Sequence, residues 1–563
     1  MTQGRFLIPL SSLFAVALLS CASSRSLSNL PSSSSTEPTS SSSATPSSTS
    51  EPTSSSSSSL APTMSFPNQT TSVYGKPITI KPVFSKESET FTASYEGDAI
   101  RIDDNQTIVG LTAGTKTKVN LTSASGLTCS FEVTVSASTY KATSARDGKF
   151  ARSEKWFDQP SVTPIEGLDD DFMTGMDISS MKALYDHGTK FYDENGNERA
   201  LPYLLKDHGA NWARLKLWVD PYTSKGTTYG GGESDLENTL WMAKECKRAG
   251  LKLLLDFHYS DYWTHPAQQI LPKTWANVSS AQELADTIRS YTKETLTTFK
   301  NEGCLPEMVQ LGNEISSGAF LDTPGPDSET FSAYGEPTYL TGRGKKAFAF
   351  KAEAGSENMV LYLNAASQGV NDVSPSIKKV VHWAKGSQIN ATVINRFFDA
   401  LSSVDYDYAG LSLYPYYCFP TGTDALGEIL SGLELDKPWF VAETSYPFSG
   451  ESYVWEDNFN VTQLSITNWT EEKQVPGITT MKGLYPFTPA GQASLIHDMT
   501  ATVLNHHGLG MFYWEPAWVP NKDVGWAGKG SSCSWSNQGF FSYDGKMIGN
   551  LNVFNMMKGD TAD

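Results

Sequence analysis

The stretch M308-V-Q-L-G-N-E-I-S-S-G318 decides how this chain reads. Apolar and β-branched residues run out of a core and end on Gly312, Asn313 and Glu314 in succession. A carboxylate at the end of a buried strand is costly to desolvate unless it is paired or used. A single such glutamate decides nothing, because strand ends reach the surface anyway, so the rest of the chain has to be read around it. From about residue 150, apolar strand-like runs recur with helical stretches between them. They lie at 172–179, 212–219, 251–258, 308–315, 359–366, 408–417, 439–446 and 508–517. The intervening segment D235-LENTLWMAKECKRAG-L251 has a fitting N-cap in Asp235, an apolar face in Leu236, Leu240 and Ala243, and Gly250 at its end. Eight strand–helix alternations predict a (β/α)8 barrel over residues 150–563. Continuous rather than alternating apolar runs suit parallel strands buried on both faces.

In such a barrel the working side chains stand at the C-terminal ends of the strands. Those ends carry Asp177, Arg214 with Trp218, Asp256 with His258, Asn313 with Glu314, Asn364, Tyr414, Glu443, and Trp514 with Glu515. Convergence of so many hydrogen-bonding and stacking groups lifts Glu314 out of a merely structural reading. Glu314 and Glu443 fall on the fourth and seventh strands. Two carboxyl groups about 5–5.5 Å apart, one protonated and one ionised, are the minimal equipment of a retaining glycosidase.

The remainder of the chain bounds compartment and partners. Net charge is −18 with no Lys/Arg run, which disfavours nucleic acid and anionic membranes as partners. Aromatic residues make up 12% and suit stacking on neutral sugar rings. Residues 1–21 read as a signal peptide, with Arg5 before an apolar stretch too short for a membrane span. Leu18-Leu19-Ser20-Cys21 resembles a bacterial lipobox, which would make Cys21 a lipid anchor, the chain's sole hold on a membrane. The protein is therefore expected to be exported, as a cell-surface lipoprotein or a secreted enzyme. Residues 22–63 form a Ser/Thr/Pro linker that cannot bury enough apolar area to fold. Residues 64–140 read as short strands with Gly/Asn/Asp turns; I108-VGLTAGTKTKVNLTSASG126 resembles bacterial immunoglobulin-like repeats, which implies a small β-sandwich without chemistry of its own. The scattered cysteines form no CxxC pair and are expected to be buried apolar residues rather than a disulfide framework.

The order of motifs resembles a known family. LLLDFHYSDYWTHP (253–266), VQLGNEISSG (309–318), YGGGESD (229–235), RLKLWVDP (214–221), GLSLYPYY (410–417) and GMFYWEPAWVP (510–520) look like glycoside hydrolase family 53, the endo-β-1,4-galactanases of type I arabinogalactan. The resemblance runs from about 170 to 555. It implies Glu314 as acid/base, Glu443 as nucleophile and Asn313 on the sugar 2-hydroxyl. Arg214 and Tyr414 would then lie beside the nucleophile, His258 near the acid/base, and Trp514 under the sugar, with Trp518 and Trp218 as further stacking candidates and Asp256 and Asp177 orienting neighbours. It implies no required cofactor, a plant cell-wall polysaccharide as partner, and a monomer. The chain departs from the family pattern after the Asn-Glu strand, where an insertion runs through about 350, and after Tyr417, where Cys418-Phe419 stand. Relatives carry calcium in the loop after strand seven; here Asp457, Asn458 and Asn460 offer oxygens without the family spacing. Two rivals stay open: another retaining (β/α)8 endo-glycanase acting on mannan, xylan or glucan, and a non-catalytic glycan-binding barrel. The second has no reason to keep both Glu314 and Glu443.

Overall fold

The computed structural model describes residues 61–142, 153–324, 350–386, 389–450, 478–521, 523–525 and 536–560. Eight parallel strands close into a barrel: β1 (Met173–Asp177), β2 (Trp212–Leu217), β3 (Lys252–Phe257), β4 (Met308–Leu311), β5 (Lys378–Trp383), β6 (Tyr408–Ser412), β7 (Trp439–Thr444) and β8 (Gly510–Trp514). The ring closes where Asp177 of β1 pairs with Trp514 of β8, which brings the last strand end beside the first. Strand interiors are buried without alternation, as parallel strands covered by helices require.

The first helix after β2, α1 (Leu236–Arg248), starts as its sequence dictates: the Asp235 carboxylate accepts the Asn238 amide at 2.8 Å. Such a cap contributes about 1 kcal/mol. Gly250 then turns the chain at φ +81°.

One predicted strand is a helix. Residues 359–366 lie inside α2 (Glu357–Asn371), and the fifth barrel strand is K378-KVVHW-383. Ser356 caps α2 by accepting the Met359 amide at 3.2 Å. Met359, Tyr362, Leu363, Ala366 and Val370 are buried at helical spacing. Asn364 therefore ends no strand; its side chain bonds Ser403 and the Asp405 amide on the outer layer, away from the strand ends.

The N-terminal residues form a four-stranded sheet (Gln69–Thr71, Thr128–Val135, Lys116–Ser123, Phe91–Ser94) and a three-stranded sheet (Ile78–Thr79, Thr107–Gly110, Ile100–Asp103). Both contribute to one apolar core: Val119, Leu121, Phe131 and Val133 from the first, Ile100 and Ile108 from the second. This unit is docked on the barrel. Backbone bonds of 2.9 Å link Ala113 to Glu198 and Ala200 to Leu111, and Tyr74 packs edge-on against Tyr185 and Trp241. Cys129, Cys246, Cys304 and Cys418 are unbridged, and the last three are buried as small apolar side chains. No helix among the described residues is long and apolar enough to cross a membrane. Cys21, most of the linker, most of the insertion after Glu314, and Asp457, Asn458 and Asn460 lie outside the described residues.

Candidate active site

Arg214, near the middle of β2, organises the site. Its guanidinium is 1% exposed and reaches acceptors on five segments of the barrel. Nη1 lies 2.6 Å from Asp177 of β1 and 2.7 Å from Glu443 of β7; Nη2 lies 2.8 Å from Asp256 of β3, 3.3 Å from Gln310 of β4 and 2.9 Å from Asn313 just beyond β4. Burial opposes its charge, but Asp256, Glu443 and Asp177 more than offset that and raise its pKa. A planar fork with several fixed donors can serve so many partners, where a lysine could not.

Glu443 stands one residue before the end of β7 and is buried. One carboxylate oxygen meets Arg214, and the other accepts the Tyr414 hydroxyl at 3.0 Å. Glu314 follows β4 through Gly312 (φ +93°) and itself sits in the left-handed region at φ +50°. That conformation is strained for a non-glycine residue and is found where a site dictates side-chain direction. Unlike Glu443, it keeps part of its surface open. Its Oε1 accepts the Ser412 hydroxyl at 2.8 Å. An oxygen of each carboxyl group and a ring nitrogen of His382 lie within 4.8 Å of one another. Burial first, then the charge of Glu443, push Glu314 up to about 8. Burial also pushes Glu443 up, but Arg214 pulls it back, to about 7. Glu443 is thus the first of the two to ionise, because Arg214 touches it and not Glu314.

The other expected residues group around this pair in distinct ways. Asn313 donates to the Thr264 carbonyl at 2.7 Å, so Arg214 and Thr264 fix both ends of its amide. His258 lies 3.1 Å from Asp256 through Nε2 and accepts from Thr264 Oγ1 at 2.9 Å through Nδ1. Burial pushes its pKa down despite Asp256, so it is a neutral bridge that steadies Asp256. Burial works to raise Asp256 itself, but Arg214 and His258 outweigh it and hold it low. Trp514, at the end of β8, forms an aromatic cluster with Trp263, Trp518, Trp218, Tyr229 and Tyr262. Trp518 stacks on Trp263 at 6.2 Å and Trp218 meets Trp263 edge-on at 5.3 Å. Both are fully packed, so among the described residues they support the wall and offer little face of their own.

Four residues absent from the sequence-based site belong to it. Gln310 and His382 link Asp256, Asn313 and Glu314. Ser412 occupies β6 two residues before Tyr414, the spacing that puts both on one face, which was a usable signal. His382 closes the strand that was misplaced, so no reading of 359–366 could reach it. Lys216 is buried 3.7 Å from Glu515 with its ammonium 4.4 Å from the Trp263 ring centre. Among the described residues, Glu314, His382 and Glu443 are compact enough to hold a metal ion. The set suits one poorly: Arg214 already sits on Glu443, and both His382 nitrogens are bonded within the protein.

Known proteins resemble this chain in sequence and fold. The sequence model of glycosyl hydrolase family 53 matches residues 173–554. The chain belongs to glycosyl hydrolase family 53. It is 31% identical to the endo-beta-1,4-galactanase of Bacillus subtilis (strain 168), over 64% of this chain and 73% of the relative. It is 30% identical to the arabinogalactan endo-beta-1,4-galactanase of Cellvibrio japonicus, over 66% of this chain and 86% of the relative. Among solved structures, the Ignisphaera aggregans GH53 catalytic domain superposes with a TM-score of 0.60 at 33% identity, covering 71% of this chain and 99% of that one. The family match spans the whole barrel and stops short of the N-terminal sheets.

Proposed function

We propose that the protein is a retaining endo-β-1,4-galactanase that cleaves within pectic galactan. Family membership, and relatives named for this activity, support the reaction. The observation that carries the reading within this chain is the close, unequally charged pair Glu314 and Glu443. One oxygen of each lies within 4.8 Å of the other, an approach that fits the roughly 5–5.5 Å carboxyl separation of a retaining enzyme better than the roughly 6.5–9.5 Å that an inverting one needs to seat a water. Glu443, ionised first beside Arg214, attacks the anomeric carbon. Glu314, still protonated, gives its proton to the departing glycosidic oxygen, then takes one back from the water that releases the sugar. Asn313 keeps one amide hydrogen free of its bond to Thr264 and offers it to the sugar 2-hydroxyl, a contact that strengthens in the transition state. Trp514 supplies an apolar wall for the sugar C–H face.

The chain ahead of the barrel fits a tethered enzyme: a signal segment, Cys21 as acylation site, a Ser-rich spacer and an immunoglobulin-like sandwich that carries the barrel at the cell surface. The substrate test uses the whole chain on a panel of polysaccharides. Potato galactan should be cut internally into short oligosaccharides at least ~100-fold faster than mannan, xylan or carboxymethyl-cellulose, a ratio that a few unpaired hydroxyls can supply. Comparable rates on mannan would reject the galactan assignment while leaving the two-glutamate reaction standing.

A further inference from the structure

We propose that His382 and Ser412 are positioning residues that decide which oxygen of Glu314 carries the acid's proton, by way of a chain of hydrogen bonds of single polarity running from Arg214 through Gln310, His382 and Ser412 to Glu314 Oε1. The inference rests on the reading of Glu314 as acid/base.

The polarity follows from the donors present. A guanidinium can only donate. Arg214 Nη2 faces Gln310 Oε1 at 3.3 Å, so the amide nitrogen of Gln310 is turned the other way, to the Asp256 carboxylate at 2.5 Å, which only accepts. That same nitrogen lies 2.9 Å from His382 Nδ1. The backbone N–H of Glu314 also points at Nδ1, at 3.3 Å. Two donors aimed at one ring nitrogen require a lone pair there. The Asn313 oxygen, 3.2 Å away, is an acceptor on the same side, but it is already faced by two donors, Arg214 Nη2 at 2.9 Å and Gln310 Nε2 at 3.3 Å. Burial and the charge of Arg214 keep the imidazole neutral, against the smaller pull of Asp256. A neutral ring without a proton on Nδ1 carries it on Nε2. Nε2 then donates to Ser412 Oγ at 2.8 Å, and the Ser412 hydrogen is left to donate to Glu314 Oε1 at 2.8 Å.

The consequence for the reaction is specific. A proton on Oε1 would point at a donor, so the acid's proton resides on Oε2. The same oxygen, once emptied, is the base for the incoming water. The arrangement holds Glu314 ready for both half-reactions without a change of side-chain rotamer. No proton passes along the chain; it fixes position only.

The test uses Ser412→Ala, Ser412→Thr, His382→Phe and the double variant Ser412→Ala/His382→Phe in the whole chain. Their kcat/KM is measured on aryl β-1,4-galactobiosides whose phenols span a range of acidity. Poor leaving groups need the acid and good ones do not. Ser412→Ala should lose roughly 10- to 100-fold on the poorest leaving group, a part of what a positioned acid supplies, and little on the best. Ser412→Thr should restore the slope. His382→Phe should copy Ser412→Ala, and the double variant should be no worse than either, because both cut one chain. Glu314 is faced by Glu443 of β7, Asp256 of β3 and Arg214 of β2, with Tyr414 and Cys418 beyond β6. None of these changes in Ser412→Ala, which removes a bond that favours the ionised form; the alkaline limb of the pH profile should therefore move upward. Equal losses across all leaving groups, additive losses in the double variant, or an unmoved alkaline limb would overturn the proposal. Should His382→Phe fail to fold, the slope of Ser412→Ala against Ser412→Thr decides alone. A Glu314→Gln control separates the two possible failures. A flat slope there removes the acid assignment and the positioning role with it; a steep slope there beside a flat one in Ser412→Ala overturns the positioning role only.

Discussion

Two arginines set among carboxylates, Arg214 buried and Arg101 only partly so, do opposite work. Arg101 lies where the N-terminal sheets meet the barrel. It grips Glu245 of α1 with two bonds of 2.9 and 3.0 Å and Asp103 at 2.7 Å, while Arg248 reaches the same two carboxylates. Two positive charges face two negative ones, and the cluster is balanced. Arg214 alone faces three carboxylates, Asp177, Asp256 and Glu443, with Glu314 close by. The other cation in reach, Lys216, is weakened by burial and lies nearest Glu515. Each uncompensated pair of like charges at about 4 Å is worth up to about 4 kcal/mol near a protein surface. A balanced cluster locks two units together; an unbalanced one holds a proton it would otherwise lose. In the proposed mechanism the barrel core thus keeps Glu314 protonated as the acid, and the inter-unit contact has no such part.

The comparison breaks most visibly at Glu443. Glu443→Gly should lower kcat by ~10⁴-fold or more, as removal of a covalent nucleophile does. Azide should restore part of the turnover and yield an α-glycosyl azide by filling the vacated space. Glu314→Gln should cost roughly 10²- to 10⁴-fold on galactan but little on substrates with good leaving groups. It should also erase the alkaline limb: activity requires Glu314 protonated, so in the parent enzyme it falls as pH rises through about 8, and glutamine has no proton to lose. Arg101→Met should leave kcat on galactan unchanged. It should cost about 2 kcal/mol of stability, because the buried Glu245 loses its bidentate partner and keeps Arg248 as its cation, read as a lower unfolding temperature by calorimetry. Loss of activity in folded Arg101→Met would show that the two arginines are not separate in function.

The barrel was legible because parallel strands buried on both faces read as continuous apolar runs, and seven of the eight runs fall on the observed strands. The fifth failed for a physical reason. K378-KVVHW-383 opens on two lysines, one of which is tied to Asp405 on the outer layer, whereas 359–366 is as apolar as any strand because it is the buried stripe of a helix. The misplacement hid His382 and, with it, the link from Gln310 to Ser412. Asn313, Glu314, Tyr414 and Glu443 were readable as strand-end groups; Arg214, read the same way, stands near the middle of its strand and meets Asn313 and Glu443 from there. Trp218 was placed correctly at its strand end, but its depth was not readable, because a tryptophan in a wall and one under it have the same sequence.

The unequal charge at Arg214 makes one claim above the others: Glu443, not Glu314, bonds to the sugar. A 2-deoxy-2-fluoro-β-1,4-galactobioside with an activated leaving group slows release of the intermediate and lets it accumulate. Mass spectrometry of the inactivated protein and its peptides should show one fluorogalactobiosyl group per chain, attached through Glu443. Attachment through Glu314, or steady turnover with an α-configured first product and no adduct, would contradict the account.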